Sequence, residues 1–145
     1  MYTLGVMDAR FRFSTGPDDI DRELVHRWLS EQSYWARGRR RSVQEAAIDA
    51  SRNYAVIDDH SAAQVAYARV VTDGATFAWL CDVFVAPEVR GRGVGVGLIE
   101  GVVADLEPLG LRRMALSTAD AHGLYEKVGF APLERPEQWM VRVQA

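Results

Sequence analysis

An α/β fold is predicted for this chain from three features of its sequence. Apolar residues recur at helical spacing in two separated regions, residues 20–29 and 94–106. Between them lie runs with the two-residue repeat of β-strands, two of which flank the hairpin signal Asp73-Gly74. A glycine-dense basic turn, Arg90-Gly91-Arg92-Gly93-Val94-Gly95, joins the last of these runs to the second helix.

At 145 residues the chain is expected to form one domain over 1–145 and to bury about two thirds of its surface. Apolar content of 48% and charged content of 26% are ordinary for a globular protein. A net charge of −3 offers no global attraction to nucleic acid or to an anionic membrane, so neither partner is expected. The single cysteine, Cys81, excludes an intramolecular disulfide and any cysteine-rich metal site, and no metal is expected. No apolar run approaches a membrane span, and residues 1–13 hold no signal-peptide core. A cytoplasmic location is the expectation.

Residues 2–14 carry short apolar stretches (Leu4, Val6, Phe11, Phe13) and predict the first strand, which Gly16-Pro17 breaks. Asp18 or Asp19 then caps a helix through Ile20, Leu24, Val25, Trp28 and Leu29 that ends near Ser30. Residues 31–41 lack periodicity and mix Tyr34 and Trp35 with four arginines around Gly38. Ser42 followed by Glu45 has the form of a capping box and starts a second helix through Val43, Ala46, Ala47 and Ala50. Strands follow over 53–57, 64–72 and 75–85. In the last, Phe77, Trp79, Cys81 and Val83 alternate with Ala78, Leu80, Asp82 and Phe84. The helix after the glycine turn ends at Glu107-Pro108-Leu109-Gly110. A strand over 112–117 and a short helix over 121–128 come next, the helix stopped by Gly129. Phe130 and residues 139–143 are read as the last strands.

A glycine turn between strand and helix presents backbone N–H groups to an anion, and a Cβ there would hold a phosphate away. Taken alone the turn is a weak signal. It lacks the G-K-[ST] ending of a P-loop and does not follow a first strand as a dinucleotide fingerprint would. It does match the pattern R/Q-x-x-G-x-G/A through Arg90, Gly93 and Gly95. Downstream, T-A-D-A-H-G-L-Y-E-K-V-G-F (residues 118–130) agrees with N-x-x-A-x-x-L-Y-E-K-x-G-F at Ala121, Leu124, Tyr125, Glu126, Lys127, Gly129 and Phe130. In this order and spacing the two motifs resemble the GNAT superfamily of acyl-CoA-dependent N-acetyltransferases, and the resemblance covers nearly the whole chain.

That resemblance implies a mixed, mostly antiparallel sheet of 6–7 strands with about four helices, splayed beside the glycine turn. It implies acetyl-CoA as co-substrate and a primary amine, on a small molecule or a peptide, as acceptor in a ternary complex. The turn Arg90, Gly91, Arg92, Gly93, Val94, Gly95 and Val96 then cradles the pyrophosphate, and Val83 and Phe84 line the pantetheine groove. The Val85 amide polarises the thioester, Tyr125 is the general acid, and Ala121 and Leu124 flank the arm. The family's Asn is Thr118 here, a shorter hydroxyl side chain at a position that the resemblance places against the arm.

Other residues keep two readings. Asp82 is a general base or a carboxylate ion-paired with an arginine. Tyr34, Trp35 and Arg37 recognise the acceptor or belong to a solvated loop. Asp120 reads as a helix cap, and His122 as a surface residue or a neighbour of the cofactor arm. Cys81 reads as a buried thiol rather than a nucleophile, which favours direct transfer. The apolar stretch 139–143 is an edge strand able to pair with a second subunit, giving a homodimer. The alternative function is a non-catalytic acyl-CoA-binding module of the same fold.

Overall fold

A computed structural model describes residues 7–144. Its strands are β1 (Phe11–Ser14), β2 (Arg52–Asp58), β3 (Ala63–Thr72), β4 (Phe77–Val85) and β5 (Arg113–Ala115). They form one sheet in the order β1-β2-β3-β4-β5, antiparallel through β4, with β5 parallel to β4. The helices are α1 (Arg22–Gln32), α2 (Arg41–Asp49), α3 (Val94–Leu106) and α4 (His122–Glu126). None is long and apolar enough to cross a membrane.

The described residues form five strands rather than the six or seven expected. Phe130 and residues 139–143 lie outside any strand. The segment is apolar and rich in β-formers, but a strand also needs a hydrogen-bonded neighbour, and the 3₁₀ turn Pro136–Gln138 leads the segment out into solvent. Met140, Val141 and Val143 are 97%, 86% and 82% exposed. The early part of the predicted first strand, residues 1–6, falls outside the described residues.

Two helix starts also differ from expectation. Pro17–Asp19 is a 3₁₀ turn, and Asp21 caps α1 by accepting from the Leu24 N–H at 3.0 Å. Helix α2 begins at Arg41 without a side-chain cap. The capping box does not form because Glu45 accepts from Arg22 and Arg41 instead, at 2.9 and 3.0 Å. Strand β4 starts two residues late because the Asp73 carboxylate gathers the Ala75 and Thr76 N–H groups and the Thr76 hydroxyl into the turn.

The sheet is covered on both faces, which is why Tyr54 to Ile57 are buried without alternation. On one side the Tyr54 hydroxyl donates to Asp105 of α3 at 2.7 Å; on the other the Asn53 amide donates to the Ile48 carbonyl of α2 at 2.9 Å. This makes three layers, helix on sheet on helix. The core runs through Val25 and Leu29 of α1, Val56, Val70 and Leu80 of the sheet, and Leu98, Ile99 and Val102 of α3. Trp28 stacks on Phe84 with ring centroids 5.2 Å apart, so α1 is fixed to β4 near the cleft.

Helix α3 approaches β1 closely through Gly101. A Cβ there would meet the Phe13 ring at 2.4 Å, and that ring already stacks on Tyr54. Gly101→Ala is expected to destabilise the fold by about 1–3 kcal/mol through overpacking, despite the better helix propensity of alanine. Urea denaturation checks this; an unchanged midpoint would mean that Phe13 moves aside freely.

Candidate active site

The sheet opens between β4 and β5. Only Phe77, Ala78 and Trp79 pair with β5, at Arg113, Met114 and Ala115, and β4 then runs on for six residues without that neighbour. A cavity of about 970 Å³ fills the gap. Its walls are residues 79–85 of β4 on one side and Leu116 to Thr118 with α4 on the other.

The glycine turn closes one end. Gly91 and Gly93 have φ of +81° and +79°, the left-handed conformation that disfavours a side chain. Gly93 is the N-cap of α3 and makes no side-chain cap bond, so the first N–H groups of the helix are left for an external partner. Gly93, Val94, Gly95 and Val96 all line the cavity. The Arg90 Nε donates to the Val85 carbonyl at 2.9 Å, which ties the turn to the end of β4. Arg92 instead lies over the Phe11 ring, away from the cavity. This end suits a diphosphate: oriented N–H groups, arginine charge and no Cβ at Gly95.

A β-bulge shapes the middle of β4. Arg69 pairs with Cys81 and Tyr67 with Phe84, so the strand carries an additional residue there, and Asp82 takes φ +53°. Aspartate tolerates this region better than most residues. Its buried carboxylate accepts from Trp35 Nε1 at 2.9 Å, Arg39 Nη1 at 2.7 Å and Arg69 Nε at 2.9 Å. Burial alone would raise the Asp82 carboxyl, but Arg39 and Arg69 outweigh it and hold the group below its ordinary value.

On the opposite wall Tyr125 is buried, with its ring edge-on to Phe130 at 5.9 Å. Among the described residues no protein group hydrogen-bonds its hydroxyl. Burial, with Tyr34 and Asp120 nearby, pushes the phenol up to about 12, so it stays protonated at neutral pH. Thr118 Oγ1 accepts the Ala121 N–H at 3.1 Å and so supports the start of α4. Asp120 makes no cap bond and lines the cavity. The Tyr34 hydroxyl accepts from the Ala119 N–H at 2.7 Å, joining the α1–α2 loop to the β5–α4 loop across the cleft.

Of the residues singled out from sequence as site candidates, all line this cavity except Arg37 and Arg92. Arg37 is exposed on the loop, and Arg39 occupies the cleft in its place. Arg69 was not anticipated. A lone arginine inside the apolar run Ala66-Tyr67-Ala68-Arg69-Val70-Val71 was the available signal. Cys81 is half-buried rather than buried and faces the cavity, with its thiol raised to about 11 chiefly by burial. Such a thiol is protonated and a poor nucleophile. His122 is exposed and lines a separate cavity of about 590 Å³ beyond β5.

The sequence profile of the acetyltransferase (GNAT) family matches residues 22–130. This chain belongs to that family. A crystal structure of a GNAT-family protein from Xanthomonas campestris pv. campestris is 43% identical, covers 95% of each chain and superposes with a TM-score of 0.87. A structure of a probable acetyltransferase from Staphylococcus aureus, at 18% identity, covers 93% of this chain and 99% of its own, with a TM-score of 0.75, and shares the fold. Serotonin N-acetyltransferase 2, chloroplastic, of Oryza sativa subsp. japonica is 40% identical over 68 residues, 46% of this chain and 34% of that protein. The match thus spans about a third of that curated relative.

Gly95 separates a ligand requirement from a structural one. A Cβ there would meet Leu124 at 3.4 Å and Val85 at 3.7 Å, which is ordinary contact, and its φ is not positive. Gly95→Ala should therefore fold normally yet weaken acetyl-CoA binding at least about tenfold, or about 1.4 kcal/mol. Calorimetric titration measures it; undiminished affinity would leave the turn a packing feature only.

Proposed function

We propose that this protein transfers an acetyl group from acetyl-CoA to a primary amine, directly and within a ternary complex. The observation carrying this reading is that the glycine turn, the unpaired stretch of β4 and Tyr125 all line one cavity. Acetyl-CoA supplies the activated acyl group. The N–H groups at the start of α3, with Arg90, hold its diphosphate. Residues Val83, Phe84 and Val85 offer a strand edge to the extended arm, and the Val85 amide polarises the acyl carbonyl. Thr118, Ala121 and Leu124 bound the other side.

Tyr125 is the proton donor to the departing sulfur. Its phenol is a weak acid, so it donates as the thiolate forms rather than before. Of the two readings of Asp82, its three partners and lowered pKa favour the ion-paired one. A carboxylate so stabilised takes up a proton poorly, and Asp82 acts by positioning Trp35, Arg39 and Arg69. The amine then loses its proton to water, and Tyr34 and Trp35 bound the acceptor end.

Tyr125→Phe keeps the ring and its packing. It should leave acetyl-CoA affinity nearly unchanged and lower kcat by about 10²-fold or more. The loss should shrink with an acyl donor whose leaving thiol is more acidic. Equal losses with both donors would remove Tyr125 from the acid role. Acetyl-CoA binding without transfer of a labelled acetyl group to any amine would favour the sensing module instead.

The outer edge of β5 is the place where a second copy would pair. The exposed apolar segment 139–143 lies beside it, with Trp139 and β5 lining the same cavity, and Arg112 and Arg113 on the edge complement Glu134 and Glu137 before the segment. Reciprocal exchange of this segment would cover both at once. Sedimentation should give particles of twice 16.2 kDa at micromolar concentration. Monomers alone would contradict the exchange.

A further inference from the structure

The geometry points to an acceptor amine that also carries an anionic oxyacid group, a carboxylate or a phosphate, held by Arg39 and Arg69. This inference rests on the acetyltransferase reading and narrows its acceptor.

Both arginines line the cavity, one from the α1–α2 loop and one from β3, and their side chains are 20% and 13% exposed. Arg39 donates from Nη1 to Asp82 and to Gln44 Oε1, and from Nη2 to Asp82 at 3.3 Å. Arg69 donates from Nε to Asp82 and from Nη1 to Ser51 Oγ at 3.1 Å. A guanidinium has five N–H groups. Among the described residues, Arg69 Nη2 and Arg39 Nε bond no protein group, so donors are left over at a half-enclosed site.

Charge points the same way. Two guanidiniums face one carboxylate here, leaving a positive excess. Elsewhere the lining carries Arg90 and Lys127 against Asp120. Such a site disfavours a di- or polycationic amine and attracts an anionic one. It also lowers the pKa of an ammonium group brought near it, which favours the neutral amine that attacks a thioester. Asp82 holds the two planar donors in place, and charge-assisted bonds from a fixed guanidinium suit carboxylate and phosphate geometry.

Matched acceptor pairs test this. Amino acids would be compared with their amides, and aminoalkyl phosphates with the corresponding amino alcohols, by kcat/KM at fixed acetyl-CoA. At least one class of acid should exceed its neutral counterpart by about tenfold or more. Preference within the amino-acid pairs assigns a carboxylate, and within the phosphate pairs a phosphate. Arg69→Gln should collapse that ratio, whereas Arg69→Lys, which keeps the charge, should retain part of it. Calorimetric titration of the preferred acid, with CoA present, should show the same weakening at equilibrium. Neutral amines used equally well or better, no acid bound or acetylated, or a ratio unmoved in folded Arg69→Gln would each overturn the inference. A protein that fails to bind acetyl-CoA at all would overturn the acetyltransferase reading itself.

Discussion

The buried carboxylate of Asp82 is the constraint on which the arrangement of the cleft depends. A charge inside the sheet must be paired, and removing one partner of such a pair typically costs about 3–5 kcal/mol. Its partners come from different parts of the chain: Trp35 and Arg39 from the α1–α2 loop, Arg69 from β3. The loop is drawn against the sheet as a result. Arg69 also reaches Ser51 beyond α2, so one network fixes the loop, the end of that helix and the bulge in β4. The left-handed backbone at Asp82 is tolerated because these bonds over-determine it.

The cleft itself comes from pairing that stops. Strand β5 bonds to β4 over three residues only, and the chain then turns toward α4. An unpaired strand edge is ordinarily a hazard; here it faces a half-enclosed cavity ending in the glycine turn. Strand edge and helix start both present backbone N–H groups, an arrangement that suits a long, flexible and anionic ligand held mainly through the main chain.

The glycine turn and the Tyr125 segment were legible in the sequence because local chemistry dictates them. Positive φ at Gly91 and Gly93 demands glycine, and spacing carries the rest. Helices and strands with a strong apolar repeat were legible for the same reason. The two arginines of the cleft were not. Arg39 rather than Arg37 enters the cleft because of how the loop folds on Asp82, and Arg69 depends on the register of β3 against a bulged β4. Those are long-range facts. The capping box at Ser42 failed because Glu45 found Arg22, 23 residues away, a stronger partner than a backbone N–H. The missing last strands show the limit of apolar, β-prone composition, which marks a segment able to pair without naming its neighbour.

An amide-resolved NMR titration with coenzyme A would map the ligand onto the cleft. The N–H resonances of Val94, Gly95 and Val96 should shift together with those of Val83 to Val85. Pantetheine, which lacks the diphosphate, should shift the β4 set alone. Shifts confined to the cavity beyond β5, or a glycine turn that responds equally to pantetheine, would rule out a diphosphate seated on the turn.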